Sequence, residues 1–427
     1  MAGKQTVILQ QLLQEVIQDE SGDPVSSRGS LTERIISVVL GESSRSGVST
    51  LYEKSSQLAA TLRTFDVRDL SVVLFGGGTG LSNIVGGDSR RREWRETPFT
   101  GLKEVFPNLH SIVCVTDDGG STGEILKDFP FVALGDLRHV MLSSIRSTTL
   151  KEQYNLDDSA ALRVAAELHL LFNYRFISRP KSVQQLLADS GVDTAVLPDL
   201  PAEYLHGLLD RLFADPRMTC ALGRPQCLGN LLLAAAMYGK LSPSFRPQDV
   251  KPGNSLIRKA TREGIAEFCR VIGAGNLAVL PCTTTPARLQ MFYANGVLVT
   301  SETKSGVARR GYPVDRVLVE FSEQPQLSDE IVELVRSADI IIMAPGSLYT
   351  SIIPILQTPG LADLIRSNRN ALKLLISNIW VQKGETDATR EAPERKFYVS
   401  DLILAYGHNI SGGIQDLFSH VLSLDLA

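Results

Sequence analysis

SVVLFGGGTGLSN, residues 71–83, is the stretch that decides the fold. Val72, Val73, Leu74 and Phe75 form a short run with no polar face, the pattern of a strand buried on both sides of a parallel sheet. Gly76, Gly77, Gly78, Thr79 and Gly80 follow, and a helical pattern opens at Leu81. Glycines between a strand and a helix let backbone N–H groups approach an anion without a Cβ in the way, and the helix start adds partial positive charge. Two standard phosphate loops are excluded. A GxGxxG fingerprint needs glycine where Leu81 stands, and a Walker A loop needs a Lys that is absent here. On the glycines alone, an anion cradle and a tightly packed βα turn stand level.

Working outward, the short apolar pattern recurs. SIVCV precedes Asp117, NLAVL precedes Pro281, DIIIMA precedes Pro345, and RVLVEF and LKLLISNI stand by themselves. Helical patterns alternate with several of these runs. In LSDEIVELVRSA, Ser328 is the expected N-cap, with Ile331, Leu334 and Val335 as the buried stripe. The alternation predicts an α/β, Rossmann-like fold: a mostly parallel sheet with helices on both faces. Asn295-Gly296 inside QMFYANGVLVT signals a type I′ hairpin, hence a small antiparallel unit. Residues 145–240 read as helix throughout, a helical insertion in a nucleotide-binding domain spanning 65–427. Residues 1–64 read as an N-terminal helical extension.

Composition narrows the function. The 427 residues carry a net charge of −4, which provides no global field to draw nucleic acid or an anionic membrane. Arg90, Arg91, Arg92 and Arg95 read as a solvated loop. The five cysteines are scattered and form no CxxC pair, so reduced thiols and no zinc site are expected. No run approaches the ~18 apolar residues of a membrane span, and the first residues lack a secretory pattern; a cytoplasmic protein is expected.

Polar clusters gather after the strands. VTDDGGSTGE places Asp117 and Asp118 beyond a strand end, where open α/β sheets bind ligands. Such carboxylates suit Mg²⁺ shared with substrate phosphates, hydrogen bonding to a ribose, or plain Asx-turn chemistry. The GxSxG match at Gly119, Ser121 and Gly123 is accidental, because the intervening Asp residues oppose a nucleophile. In GDLRH, Arg138 either contacts phosphate or, the favoured reading, pairs with Asp136. Asn230 in GNLLLAA is an N-cap or a ligand-reading amide. In APGSLYTSIIP, Pro345, Gly346, Ser347, Leu348, Tyr349, Thr350 and Ser351 pair hydroxyls with free backbone N–H groups at a helix start, a diphosphate cradle. SNIWVQKGETD adds Asn378, Gln382, Gly384, Glu385 and Thr386 after the next strand.

Taken in order, GGGTGLS, VTDDGGSTGE, GDLRH, GNLLLAA, APGSLYTSIIP and SNIWVQKGETD resemble the 2-phospho-L-lactate transferase (CofD-like) superfamily over residues 70–390, and most closely its gluconeogenesis-factor (YvcK-like) branch. The resemblance implies a Rossmann-like fold and a nucleotide-type small molecule as partner, with homo-oligomer formation left open. In the gluconeogenesis-factor branch it implies binding of a nucleoside diphosphate or UDP-sugar and regulation of carbon use or the cell envelope. In the transferase branch it implies a Mg²⁺-dependent reaction moving a phospholactyl-type group from a guanosine diphosphate adduct to a deazaflavin. By motif, Gly76, Gly77, Gly78, Thr79, Gly80 and residues 345–351 would contact the ligand's phosphates. Asp117 or Asp118 would hold the metal and serve catalysis, and Asn230, with Asn378 beside it in the set, would touch the ligand.

Overall fold

A computed structural model describes residues 57–249, 254–300, 312–389 and 392–423, together with Gln11. The chain divides into two units, Met1–Asp69 and Leu70–Ala427. In the first, residues 57–63 are helical; residues 1–10 and 12–56 of the expected extension lie outside the described residues.

The second unit carries eleven described strands. In chain order they are β1 (Ser71–Gly76), β2 (Asn108–Val113), the two-residue β3 (Arg175–Phe176) and β4 (Gln226–Cys227), and β5 (Val279–Pro281). Next come β6 (Ala287–Tyr293), β7 (Leu298–Thr300), β8 (Val314–Phe321), β9 (Ile340–Met343), β10 (Leu372–Ile376) and β11 (His420–Leu422). Six form one parallel sheet in the order β11-β10-β9-β1-β2-β5. Counted along the chain, this is the doubly wound order 3-2-1-4-5-6, which reverses direction between its first and fourth strands. Those strands are β1 and β9, registered Val72 to Ile340 and Phe75 to Met343. Val72, Val73, Leu74 and Phe75 are fully buried, as their unbroken apolar run predicts.

Two readings change. RVLVEF lies in β8, which pairs antiparallel with β6 and takes no place in the parallel sheet. Its side chains alternate between buried and exposed, the mark of a sheet with one wet face. The hairpin between β6 and β7 is not type I′, which needs positive φ at both central residues. Only Gly296 is left-handed, at φ 81°, and Gly296 N–H closes the turn on Tyr293 O at 2.8 Å. This is a three-residue loop with a glycine bulge, and its Asn295 side chain accepts from Val297 N–H at 3.2 Å.

The insertion is helical as read, apart from the short β3–β4 pair. Its helix Leu228–Tyr238 is buried at every residue, which an apolar circumference demands. Gly264 of the helix Ser255–Val271 lets that helix approach closely: a Cβ there would stand 2.9 Å from the Met237 backbone. Ser328 caps the helix Asp329–Ser337, its hydroxyl accepting from Ile331 N–H at 3.3 Å. All five cysteines are free thiols. Among the described residues, no helix is long and apolar enough to cross a membrane.

Candidate functional site

The loops that follow β1 and β9 meet at the reversal point. A Cβ on Gly80 would lie 1.7 Å from the Pro345 carbonyl oxygen, so only glycine allows these loops to cross. A Cβ on Gly77 would stand 2.5 Å from Ser351 Oγ and 2.7 Å from Asp136 Oδ2. Gly78, at φ +28°, gives its N–H to the Asp136 carboxyl. The glycine run thus brings the β1 loop, Ser351 and Asp136 into one cluster, with Thr79 half-buried beside them.

Asp117 joins from the loop after β2. Its Oδ1 accepts from Gly119 N–H at 2.8 Å and its Oδ2 from Thr122 Oγ at 3.3 Å. The same Oδ2 stands 3.1 Å from where a Gly135 Cβ would be, next to Asp136. Burial first, then the charge of Asp117, pushes the Asp136 carboxyl up to about 8, against the Gly78 N–H and the positive charge of Arg90 and Arg138. Asp117 is therefore the acid of the pair that turns toward Asp136. From Asp118, the backbone carbonyl closes over Gly123.

Arg138 does not pair with Asp136 as expected. It is 2% exposed and donates to Phe172 O at 2.8 Å and Asn173 Oδ1 at 2.9 Å, and it touches the His139 ring. Nor is Asn230 an N-cap. Cys227 holds that position, and Asn230 lies inside the first turn, where its Nδ2 donates to Ser121 Oγ at 3.1 Å. Its Oδ1 is buried with no partner among the described residues. Asn230 and Arg175, the latter at 3.4 Å, both reach Ser121, so this hydroxyl pins the TDDGGS loop and does not stand as a hydrolase nucleophile.

The β9 loop differs from its expected free state. Leu348–Ile352 is a π-turn that runs into the helix Ile353–Leu356. Gly346 N–H donates to Asn378 Oδ1 at 2.7 Å, and Asn378 Nδ2 returns a bond to Gly346 O at 2.6 Å. Leu348 N–H donates to Gln382 Oε1 at 3.2 Å. Tyr349 N–H donates to Glu385 Oε2 at 3.0 Å, while the hydroxyls of Ser347 and Thr350 donate to Glu385 Oε1. Thr350 N–H goes to Ser347 Oγ at 3.0 Å. Three of these donors, Tyr349 N–H and the Ser347 and Thr350 hydroxyls, converge on the chain's own Glu385 carboxylate. Leu348 is 3% exposed, so its contribution to this seat is its backbone. Thr116 Oγ, donating to Thr350 O at 3.1 Å, ties this loop to the end of β2.

Two acids carry more weight than the sequence suggested. By sequence Asp136 is half of a local ion pair, and Glu385 is one polar group among several after β10. Their partners lie 58 and 36 residues away, a relation that residue spacing does not encode.

Beside Tyr349 and Glu385 opens a cavity of about 290 Å³, walled also by Asp315, Asp387, Phe397 and His408. That volume is at the lower end of small-molecule pockets. Among the described residues, no group of three or more His, Cys, Asp or Glu side chains is placed to hold a metal ion. The inward Asp117 fits a Mg²⁺ that takes most of its oxygens from water and ligand phosphates.

A doubly wound sheet whose glycine-bearing loops cross at the reversal point defines a Rossmann-like α/β protein. The chain belongs to the CofD family: the family model described as 2-phospho-L-lactate transferase CofD matches residues 72–422. A gluconeogenesis factor from Halalkalibacterium halodurans is 28% identical over 317 residues, 74% of this chain and 69% of that protein. A putative gluconeogenesis factor from Clostridium acetobutylicum is 27% identical over 352 residues, 82% of this chain, which spans about half (55%) of that relative. A crystal structure of a UPF0052-family protein from Bacillus halodurans superposes with a TM-score of 0.52 at 23% identity, over 84% of this chain and 82% of that one, which shows the shared fold.

Proposed function

We propose that this protein binds a nucleoside diphosphate or nucleotide sugar, together with Mg²⁺, across the reversal point between β1 and β9. We further propose that it regulates carbon metabolism or cell-envelope synthesis. The observation that carries the binding is the crossing of the two loops at Gly80 and Pro345, in the crevice where doubly wound sheets take their ligands. The regulatory half draws on relatives named gluconeogenesis factor.

Each part of the site has a task in this reading. The glycine loop presents backbone that a side chain would obstruct. Asp117 and Glu385 line the crevice with carboxylates, and a diphosphate enters such surroundings only with its charge neutralised. Mg²⁺ held by Asp117, with Asp118 at hand, supplies that neutralisation. The donors now on Glu385 fit one phosphate oxygen pair as well as one carboxylate, so the ligand exchanges with Glu385 at this seat. Asn230 acts through Ser121 to hold the TDDGGS loop, and Asn378 holds Gly346.

A second reading places Mg²⁺-dependent group transfer at the same site, with the cation on the leaving nucleoside phosphate. The family model's description favours it. Calorimetry with UDP-sugars, UDP, GDP and GTP, each with and without Mg²⁺, tests both. The expected result is saturable, Mg²⁺-dependent binding of at least one of them, lost in Asp117→Asn. Absence of binding across the panel overturns both readings. Transfer from a phospholactyl guanosine diphosphate adduct to a deazaflavin selects the second.

A further inference from the structure

Ile379, Trp380 and Val381 are 60, 79 and 60% exposed, three consecutive apolar side chains facing water. Such a run is unfavourable on a surface unless something uses it. The other tryptophan, Trp94, is 4% exposed and donates its indole N–H to Gly86 O at 2.8 Å. Trp380 has no such place: among the described residues, no hydrogen bond, ring stack or cation contact engages its indole.

Its position is nonetheless well defined. Asn378 is bonded in both directions to Gly346, and Gln382 accepts from Leu348 N–H. Trp380 lies two residues from each anchor, so its Cα is within about 7 Å of both. The segment is therefore fastened to the β9 loop on either side of a large, bare aromatic face at the rim of the anion seat.

We propose that Trp380 is the stacking platform for the aromatic ring of the ligand, a nucleobase or comparable heteroaromatic, and that it gives the site its preference for a ring-bearing diphosphate over bare diphosphate. The inference rests on the diphosphate-binding reading of the site. An indole face accepts any base, because every base has a π-face, so Trp380 selects for the presence of a ring and leaves its identity to other contacts. Ile379 and Val381 extend the apolar surface on either side, and covering all three removes them from water. Base–aromatic stacking of this kind is worth about ten- to hundredfold in affinity.

The test compares UDP, GDP and inorganic pyrophosphate, each with Mg²⁺, on wild type, Trp380→Ala and Trp380→Phe. The emission difference between wild type and Trp380→Phe isolates Trp380, because Trp94 is buried. The nucleotide is expected to perturb that emission and shield it from iodide, whereas pyrophosphate binds without either effect. Trp380→Ala weakens nucleotide binding ten- to hundredfold and leaves pyrophosphate unchanged, and Trp380→Phe restores most of the loss. An exposed side chain makes the Ala variant safe for folding, which a thermal melt confirms. Equal nucleotide affinity in wild type and Trp380→Ala sinks the inference and leaves the site reading standing. Failure of nucleotide and pyrophosphate alike sinks the site reading itself. Iodide shielding that grows with protein concentration in the absence of ligand means that a second copy covers Trp380, and overturns the proposal.

Discussion

Replacing Asp136 with Asn tests whether the loops at the reversal point hold an acid in its protonated form. Burial and the neighbouring charge of Asp117 raise this carboxyl from 3.8 to about 8. Between those values the folded protein keeps a proton that the unfolded chain has released. Stability on this account is full below about pH 4 and declines as pH rises toward 8, by about 1.4 kcal/mol per pH unit at most. Four units correspond to on the order of 5 kcal/mol. Water reaching this half-buried residue reduces the working expectation to about 2–3 kcal/mol between pH 5 and pH 8. Asn is an uncharged isostere whose Oδ1 still accepts from Gly78 N–H. The Asp136→Asn protein is thus expected to match wild type only below about pH 4, and its advantage to grow by about 2–3 kcal/mol between pH 5 and pH 8. Urea unfolding at half-unit pH steps measures the difference directly and cancels the titration of every other carboxylate. Asp117→Asn is the companion: it removes the second cause of the shift, so the decline still begins near pH 4 but ends at lower pH and is smaller. Parallel wild-type and Asp136→Asn curves across pH 5–8 would refute the assignment of a proton to Asp136.

Three further outcomes are expected. Gly80→Ala drives a methyl to 1.7 Å from Pro345 O, so the crossing must open; a loss of about 2–4 kcal/mol in urea melts and loss of nucleotide binding by calorimetry are expected. Glu385→Ala vacates the seat of Tyr349 N–H and the Ser347 and Thr350 hydroxyls, and should tighten pyrophosphate binding about tenfold; unchanged or weaker binding means that this seat does not take the ligand's phosphate. Lys103, 2% exposed and held to Pro98 O at 2.6 Å and Ser143 O at 2.7 Å, is pushed by burial down to about 7. The unfolded chain then holds the extra proton between about pH 7 and 10, so this residue's contribution rises with pH. Lys103→Met removes that rise and leaves two carbonyls without a donor, a loss of about 2–3 kcal/mol at pH 9 in urea melts.

The parts that the sequence alone determined are those governed by local chemistry. A strand covered on both faces must be apolar throughout, so β1 and β9 are visible as runs. Glycine at positions 77, 78 and 80 marks close backbone approach, and three-dimensional contact explains each one. The short, half-exposed edge strand β11 leaves no such trace, and its three residues need β10 beside them to count as a strand. RVLVEF shows the limit from the other side: its composition specifies a strand, but only its partner β6 decides which sheet it joins. The same holds at the site. That acids and donors gather after the strands is legible in order along the chain. That Asp136 lies under Gly78, that Asn230 reaches Ser121 and that Glu385 fills the β9 loop depend on packing between segments up to 109 residues apart. Desolvation and hydrogen-bond competition act on groups according to their neighbours in space, so only the tertiary structure could choose among the roles that the residue types allowed.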